Sequence, residues 1–343
     1  MGWLSRAFGG DARAPRDADA ALESALLAVL DRDFDRAEAM LVAAVRLASD
    51  DDVAYLALAR LYRMRGEIGR AIRIHQNLLL RHDTRSPLGL TAMADLGADF
   101  AQGGFLRRAI ASYEQVLSQD PKHPGALRAL ARLLADTREF PRAIELARRL
   151  ARIEGRDAAA PEAALRVAMA EAARAEGRSE EARKAVKQAI RQDPTSVRGW
   201  ILLGELEAEL GRAKAALAAW LRVPELDRRA GPQVYPQLEA TYAALGRTRE
   251  FETCLRGLLE TRPDDRGARL ALARSLAARG DAEPARSELA QLLERDPDDL
   301  EARATLGRIL LAEARGADVA KAHAELIEAL DRQGLLRARE SLA

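Results

Sequence analysis

A small residue returns along this chain at nearly constant spacing. Ala71, Ala109, Ala143, Ala182, Ala216, Phe251 and Ala285 follow one another at intervals of 38, 34, 39, 34, 35 and 34 residues. Each return has the same surroundings. Around the first, Tyr55, Leu58, Ala59 and Tyr62 fall on one face of a predicted helix, Gly66 ends it, and Ala71, His75 and Leu78 share a face of the next. A motif of this length is one helical hairpin, and a hairpin cannot bury its apolar face alone. Repetition at a fixed period therefore predicts an array that stacks each hairpin on its neighbours.

Nine hairpins can be placed from Ala18 onward. Asp33 and Asp35 suit the start of the second helix of the first hairpin. In the third, Gly97 and Ala109 let two helices approach closely beside Phe100 and Tyr113. The fifth, over about 161–194, is rich in alanine and is expected to bury least and open most easily. In the sixth, Trp200, Leu203, Gly204, Ala216 and Trp220 keep the pattern, and Pro224 is expected to end the second helix early. Phe251 in place of a small residue predicts wider packing in the seventh. The two longest intervals hold proline-containing insertions over 85–88 and 158–161, the expected joints of the array. Residues 1–17 read as a flexible leader, 18–330 as the array and 331–343 as a tail.

Composition narrows the function. The chain has 54 basic and 53 acidic residues, so no global charge drives it toward nucleic acid. The one cysteine, Cys254, rules out an internal disulfide framework and is expected to be a buried structural thiol beside Leu255 and Leu258. His75, His82, His123 and His323 form no ligand spacing, and His75 is expected to be a core histidine with one nitrogen satisfied. The carboxylates read as solvated faces and helix starts, with no pair in an apolar setting. There is no Gly-rich phosphate loop and no nucleophile motif, so neither catalysis nor a cofactor is expected. No run of 18 apolar residues occurs. Trp3, Leu4, Arg6 and Phe8, within residues 1–10, allow at most weak peripheral membrane contact, a disordered start being the plainer reading.

These offsets resemble the tetratricopeptide repeat. Tyr55, Leu58, Ala59, Tyr62, Ala71 and Leu78 match six of its positions in one repeat, and coverage is about 18–330. The resemblance implies an all-α, right-handed tetratricopeptide-repeat superhelix (α-solenoid) that binds protein or peptide partners. In such a fold the first helix of each repeat lines the concave side. By offset, Arg60, Arg63, Arg128 and Arg132 would then make one end of a groove basic, and Glu171, Glu205 and Glu209 would make its middle acidic. The plain alternative is a solvated charged face.

A narrower resemblance lies in the run Arg65–Gln76, with Leu78, Leu79, Leu96 and Gly97, and in Arg142–Ala147 with Leu150. These resemble repeats of the lipopolysaccharide assembly protein B family over about 55–153. That family acts on the cytoplasmic face of the inner membrane, as an adaptor presenting a lipid A biosynthesis enzyme, its deacetylase, to a membrane protease. The resemblance implies a cytoplasmic scaffold, peripheral to the inner membrane, with Arg73 and Gln76 on a family-like surface. Its members carry an N-terminal transmembrane helix and a C-terminal four-cysteine metal ribbon, so a shortened or trimmed relative is expected. A general cytoplasmic scaffold in secretion, motility or signalling is the alternative. An RNA-binding helical repeat is a minor one, which Glu171, Glu205 and Glu209 disfavour.

Overall fold

The computed structural model describes residues 17–313, 316–333 and 335. All of the expected leader except Asp17, and most of the expected tail, lie outside them. Every regular element among the described residues is helical, and the chain divides into two compact units, residues 1–165 and 166–343.

The first unit holds four hairpins: α1 (Ala18–Leu30) with α2 (Phe34–Leu47), α3 (Asp52–Met64) with α4 (Ile68–Arg81), α5 (Pro87–Gln102) with α6 (Leu106–Gln119), and α7 (Pro124–Asp136) with α8 (Phe140–Glu154). It ends within α9 (Ala159–Ala175). The second holds the rest of α9 with α10 (Ser179–Gln192), α11 (Val197–Glu209) with α12 (Ala213–Leu226), and a 3₁₀ turn over Gly231–Gln233. Then come α13 (Tyr235–Ala244) with α14 (Thr248–Thr261), α15 (Arg266–Arg279) with α16 (Ala282–Arg295), and α17 (Leu300–Ala312) with α18 (Gly316–Arg332).

Two kinds of junction set this order. Within each of the first eight hairpins the first helix is followed by a residue with positive φ, as at Gly66 (φ 79°), so the next N–H turns back onto the helix. Glu67 N–H donates to the Tyr62 carbonyl at 2.8 Å, and Arg212 N–H to the Glu207 carbonyl at 2.8 Å in the same way. Arg32 (φ 58°) and Arg138 (φ 65°) occupy that slot without glycine, at a cost of about 1 kcal/mol each. Between hairpins a polar side chain caps the next helix. Asp51, Ser86, Asp265 and Asp299 do so, and the His123 ring accepts from Ala126 N–H at 3.0 Å.

The recurring alanines all lie at the crossing of the two helices, fully buried. A methyl group added to Gly97 would come within 3.1 Å of the Tyr113 ring, and one added to Gly204 within 2.2 Å of Trp220. The seventh hairpin differs at the same position. Phe251 is buried and stacks on Tyr242 with ring centroids 5.9 Å apart, so an aromatic pair fills the place that a buried alanine takes at Ala71 or Ala285. The fifth buries mainly alanines, with Val167, Val186 and Ile190 as its largest fully packed side chains.

Three expectations need correction or refinement. Pro224 does not shorten its helix, because α12 continues to Leu226 and has the same 14 residues as α10 and α14. A proline in the last turn forfeits a single hydrogen bond, and burial of Val223 and Pro224 offsets it. The insertions lengthen first helices: α5 has 16 residues and α9 has 17, where α3, α7 and α11 have 13. Cys254 is half-buried, its Sγ 3.8 Å from the Tyr242 hydroxyl, because its side of α14 also meets solvent.

Candidate interaction site

Stacking like hairpins brings the same face of successive first helices together. A charge on one therefore meets the side chain about 35 residues on. In the first unit Arg60 Nε on α3 donates to Asp95 Oδ2 on α5 at 2.8 Å. Arg63, one turn along, donates to Asp95 Oδ1 at 2.9 Å, to the Asp95 carbonyl at 3.0 Å and to Asp99 Oδ1 at 3.0 Å. Asp99 Oδ2 lies 2.6 Å from His75 Nδ1 on α4, and both side chains are fully buried. His75 is thus a core histidine with one nitrogen engaged, as expected; its Nε2 has no hydrogen-bond partner among the described residues.

The electrostatics follow from burial and pairing. Burial pushes the Asp95 carboxyl up, but the bonds from Arg60 and Arg63 outweigh it and hold the group below its ordinary value. Burial likewise opposes the charge on Arg63, while Asp95 and Asp99 hold it firmly protonated. Burial pushes the neighbouring Tyr113 phenol up to about 12.

The second unit repeats the device, with carboxylates on both the earlier and the later helix. Arg174 on α9 donates to Glu209 Oε1 on α11 at 2.8 Å and also reaches Glu205. Glu171 accepts from Arg198 Nε at 2.7 Å. Further along, Arg266 on α15 forks onto Asp299, the cap of α17, at 2.6 and 2.7 Å. Glu207, fully buried on α11, accepts from Arg183 and Lys187 of α10 at 2.7 and 2.9 Å. Burial would raise its carboxyl, but Lys187 and Arg183 hold it below its ordinary value.

The seven charges expected to line a groove therefore stand in two conditions. Arg60, Arg63, Glu171, Glu205 and Glu209 each pair with a neighbouring first helix. Arg128 and Arg132, one turn apart on α7, face solvent. Arg128 reaches Glu154 at 2.5 Å while its side chain stays 63% exposed, and Arg132 makes no hydrogen bond or ion pair among the described residues. Arg73 and Gln76 are exposed on α4, a second helix. The view of the carboxylates as solvated faces and helix starts is overturned: Asp99, Glu162, Glu207 and Glu252 are buried. The missed signal was the spacing, since Asp95 lies 35 residues after Arg60 and Asp99 lies 36 after Arg63. Among the described residues no cluster of His, Cys, Asp or Glu is arranged to hold a metal, and no helix is long and apolar enough to cross a membrane.

Models of the tetratricopeptide repeat match residues 54–88, 104–168, 167–232 and 242–309. The chain is a tetratricopeptide-repeat protein. Among proteins of this architecture it is similar to lipopolysaccharide assembly protein B of Escherichia coli (strain K12), at 29% identity over 233 residues, covering 68% of this chain and 59% of the relative. The protein of the same name from Haemophilus influenzae is 28% identical over 202 residues, covering 59% of this chain and 51% of that one. This chain thus spans less than two thirds of the length of these relatives. A tetratricopeptide repeat protein from Parabacteroides merdae ATCC 43184 aligns over 76% of this chain and 98% of its own, with TM-score 0.44 and 15% identity.

Proposed function

We propose that this repeat array is a non-catalytic adaptor of the lipopolysaccharide-assembly type, which holds a client enzyme of lipid A synthesis for a membrane protease at the cytoplasmic face of the inner membrane. The likeness to lipopolysaccharide assembly protein B over 233 residues supports the setting. The observation that carries the surface is the contrast on the first helices. Arg60 and Arg63 are engaged by Asp95 and Asp99 and serve cohesion, whereas Arg132 is unpaired among the described residues and Arg128 beside it meets only Glu154 and stays 63% exposed, so both guanidinium groups are open to a partner. An acidic segment of a client protein fits them. Arg73 and Gln76 offer a second exposed surface on the same unit.

The test is affinity capture from a bacterial lysate with detergent-solubilised membranes. The native chain is one bait and the doubly substituted Arg128→Glu, Arg132→Glu chain is the control. The expected result is recovery of the lipid A deacetylase or the protease by the native bait alone. Recovery by both baits removes the two arginines from the reading. Reproducible capture of an unrelated complex instead makes the chain a general scaffold.

A further inference from the structure

The pairing of the first helices also breaks down in the second unit. Glu239 on α13, Arg274 on α15 and Arg308 on α17 follow at intervals of 35 and 34 residues, the spacing at which Arg60 meets Asp95 and Arg174 meets Glu209. Glu239 should pair with Arg274. Instead Arg274 Nη2 donates to Glu301 Oε1 at 2.6 Å, and its buried Nε has no partner among the described residues. Glu239 is left half-buried without an ion pair there, and burial pushes its carboxyl up although Arg274 nearby pulls it down. Arg308 is exposed and reaches the Thr305 hydroxyl at 3.2 Å, with no carboxylate partner among the described residues.

Both unmatched charges line one hollow of about 510 Å³ whose floor is small and apolar, from Ala277, Ala278, Ile309 and Ala312. An adjoining hollow of about 240 Å³ between Tyr235, Pro236 and Leu270 continues past Glu239. A desolvated carboxylate costs free energy until a cation meets it, and a groove with one unmatched charge of each sign is complementary to a dipolar guest. We propose that the groove between α13, α15 and α17 docks an extended segment of another protein, one that sets a lysine or arginine against Glu239, an acidic group against Arg308 and an apolar side chain between them. A nucleic acid fits poorly, since its phosphates would face Glu239. The site lies in the second unit and does not depend on Arg128 or Arg132.

The experiment selects a displayed library of random twelve-residue peptides on the full chain, with Glu239→Gln and Arg308→Gln as counter-baits. Neither substitution removes an ion pair inside the fold, and unchanged helicity and Tm confirm that each variant is folded. Peptides enriched by the native bait should carry a basic and an acidic residue around an apolar one. Made synthetically, they should lose about tenfold in affinity on Glu239→Gln, lose the same on replacing their basic residue with norleucine, and lose nothing further when both changes are combined. Loss of the acidic preference on Arg308→Gln completes the expected set. The proposal is overturned if nothing is enriched over the Glu239→Gln bait, if the enriched peptides bind that variant equally well, or if their basic residue is dispensable. Peptides lost on Arg128→Glu with Arg132→Glu but indifferent to Glu239 also overturn it, while supporting the surface on α7.

Discussion

Replacing Arg63 with methionine separates a buried ion pair from an exposed one at the same carboxylate. The Arg63 side chain is 18% exposed and makes three hydrogen bonds to α5, two to carboxylates and one to the Asp95 carbonyl. Methionine keeps the stem and removes all three. Asp99, with no exposure, then relies on His75 alone, and Asp95 on Arg60. Removing one partner of a buried pair costs about 3–5 kcal/mol when the other charge is stranded. Here each carboxylate retains one partner, so the loss should be about 2–3 kcal/mol. For a unit of this size that lowers Tm by roughly 4–12 °C. Arg60→Met removes a partner of the same Asp95, but the Arg60 side chain is 49% exposed. It should cost no more than about 1 kcal/mol. Guanidinium unfolding followed by circular dichroism measures both, and amide exchange should locate the loosening in α3 and α5 for Arg63→Met. The reasoning is refuted if the two substitutions cost the same, or if Arg63→Met lies within about 0.5 kcal/mol of the native chain.

Acid should act through the same cluster. Asp95 is held below its ordinary value in the fold, so the unfolded chain binds its proton more tightly. Its contribution is complete above the unfolded value of about 3.9 and is lost as pH falls through the lower folded value. Asp95→Asn should therefore lower stability at pH 7 and flatten the decline below about pH 4; an acid limb parallel to the native one would contradict this. The glycines give a graded pair. Gly204→Ala drives a methyl group to within 2.2 Å of the buried Trp220 ring, whereas Gly97→Ala meets Tyr113 at 3.1 Å. The first should cost about 1–3 kcal/mol and the second under about 1 kcal/mol, so equal Tm losses would refute the close approach at Gly204.

Elements that depend on near neighbours in the chain were legible in advance. Helical spacing around Ala71 and Ala216, glycine in the turn at Gly66 and Asp33 before α2 all act within one hairpin, and each stands where its spacing placed it. Arg138 in a left-handed turn shows that the hairpin holds its shape even without glycine, since packing on both sides imposes it. Pro224 misled because a local helix breaker was weighed without the burial that surrounds it. The carboxylates were harder to read. Whether Asp99 is solvated depends on Arg63, on the preceding first helix, and on His75, on a helix between. No window of one hairpin contains all three. The unmatched Glu239 was invisible for the same reason: its neighbour Arg274 is present at the right distance along the chain but engaged elsewhere.

The pairing between first helices makes the array an ordered text. A hydrophobic hairpin tolerates almost any similar neighbour, so apolar packing alone would let repeats be deleted or exchanged like beads. Excising the third hairpin would set Arg60 and Arg63 against the face of α7, where Ala129 and Leu133 stand at the offsets of Asp95 and Asp99. Two guanidinium groups would lose their acceptors, and His75 would lose the carboxylate beneath it. Where they occur, the charges thus act as a serial key: the second hairpin recognises the third, the fifth the sixth and the eighth the ninth, and a copy that shuffled these hairpins would lose those pairs.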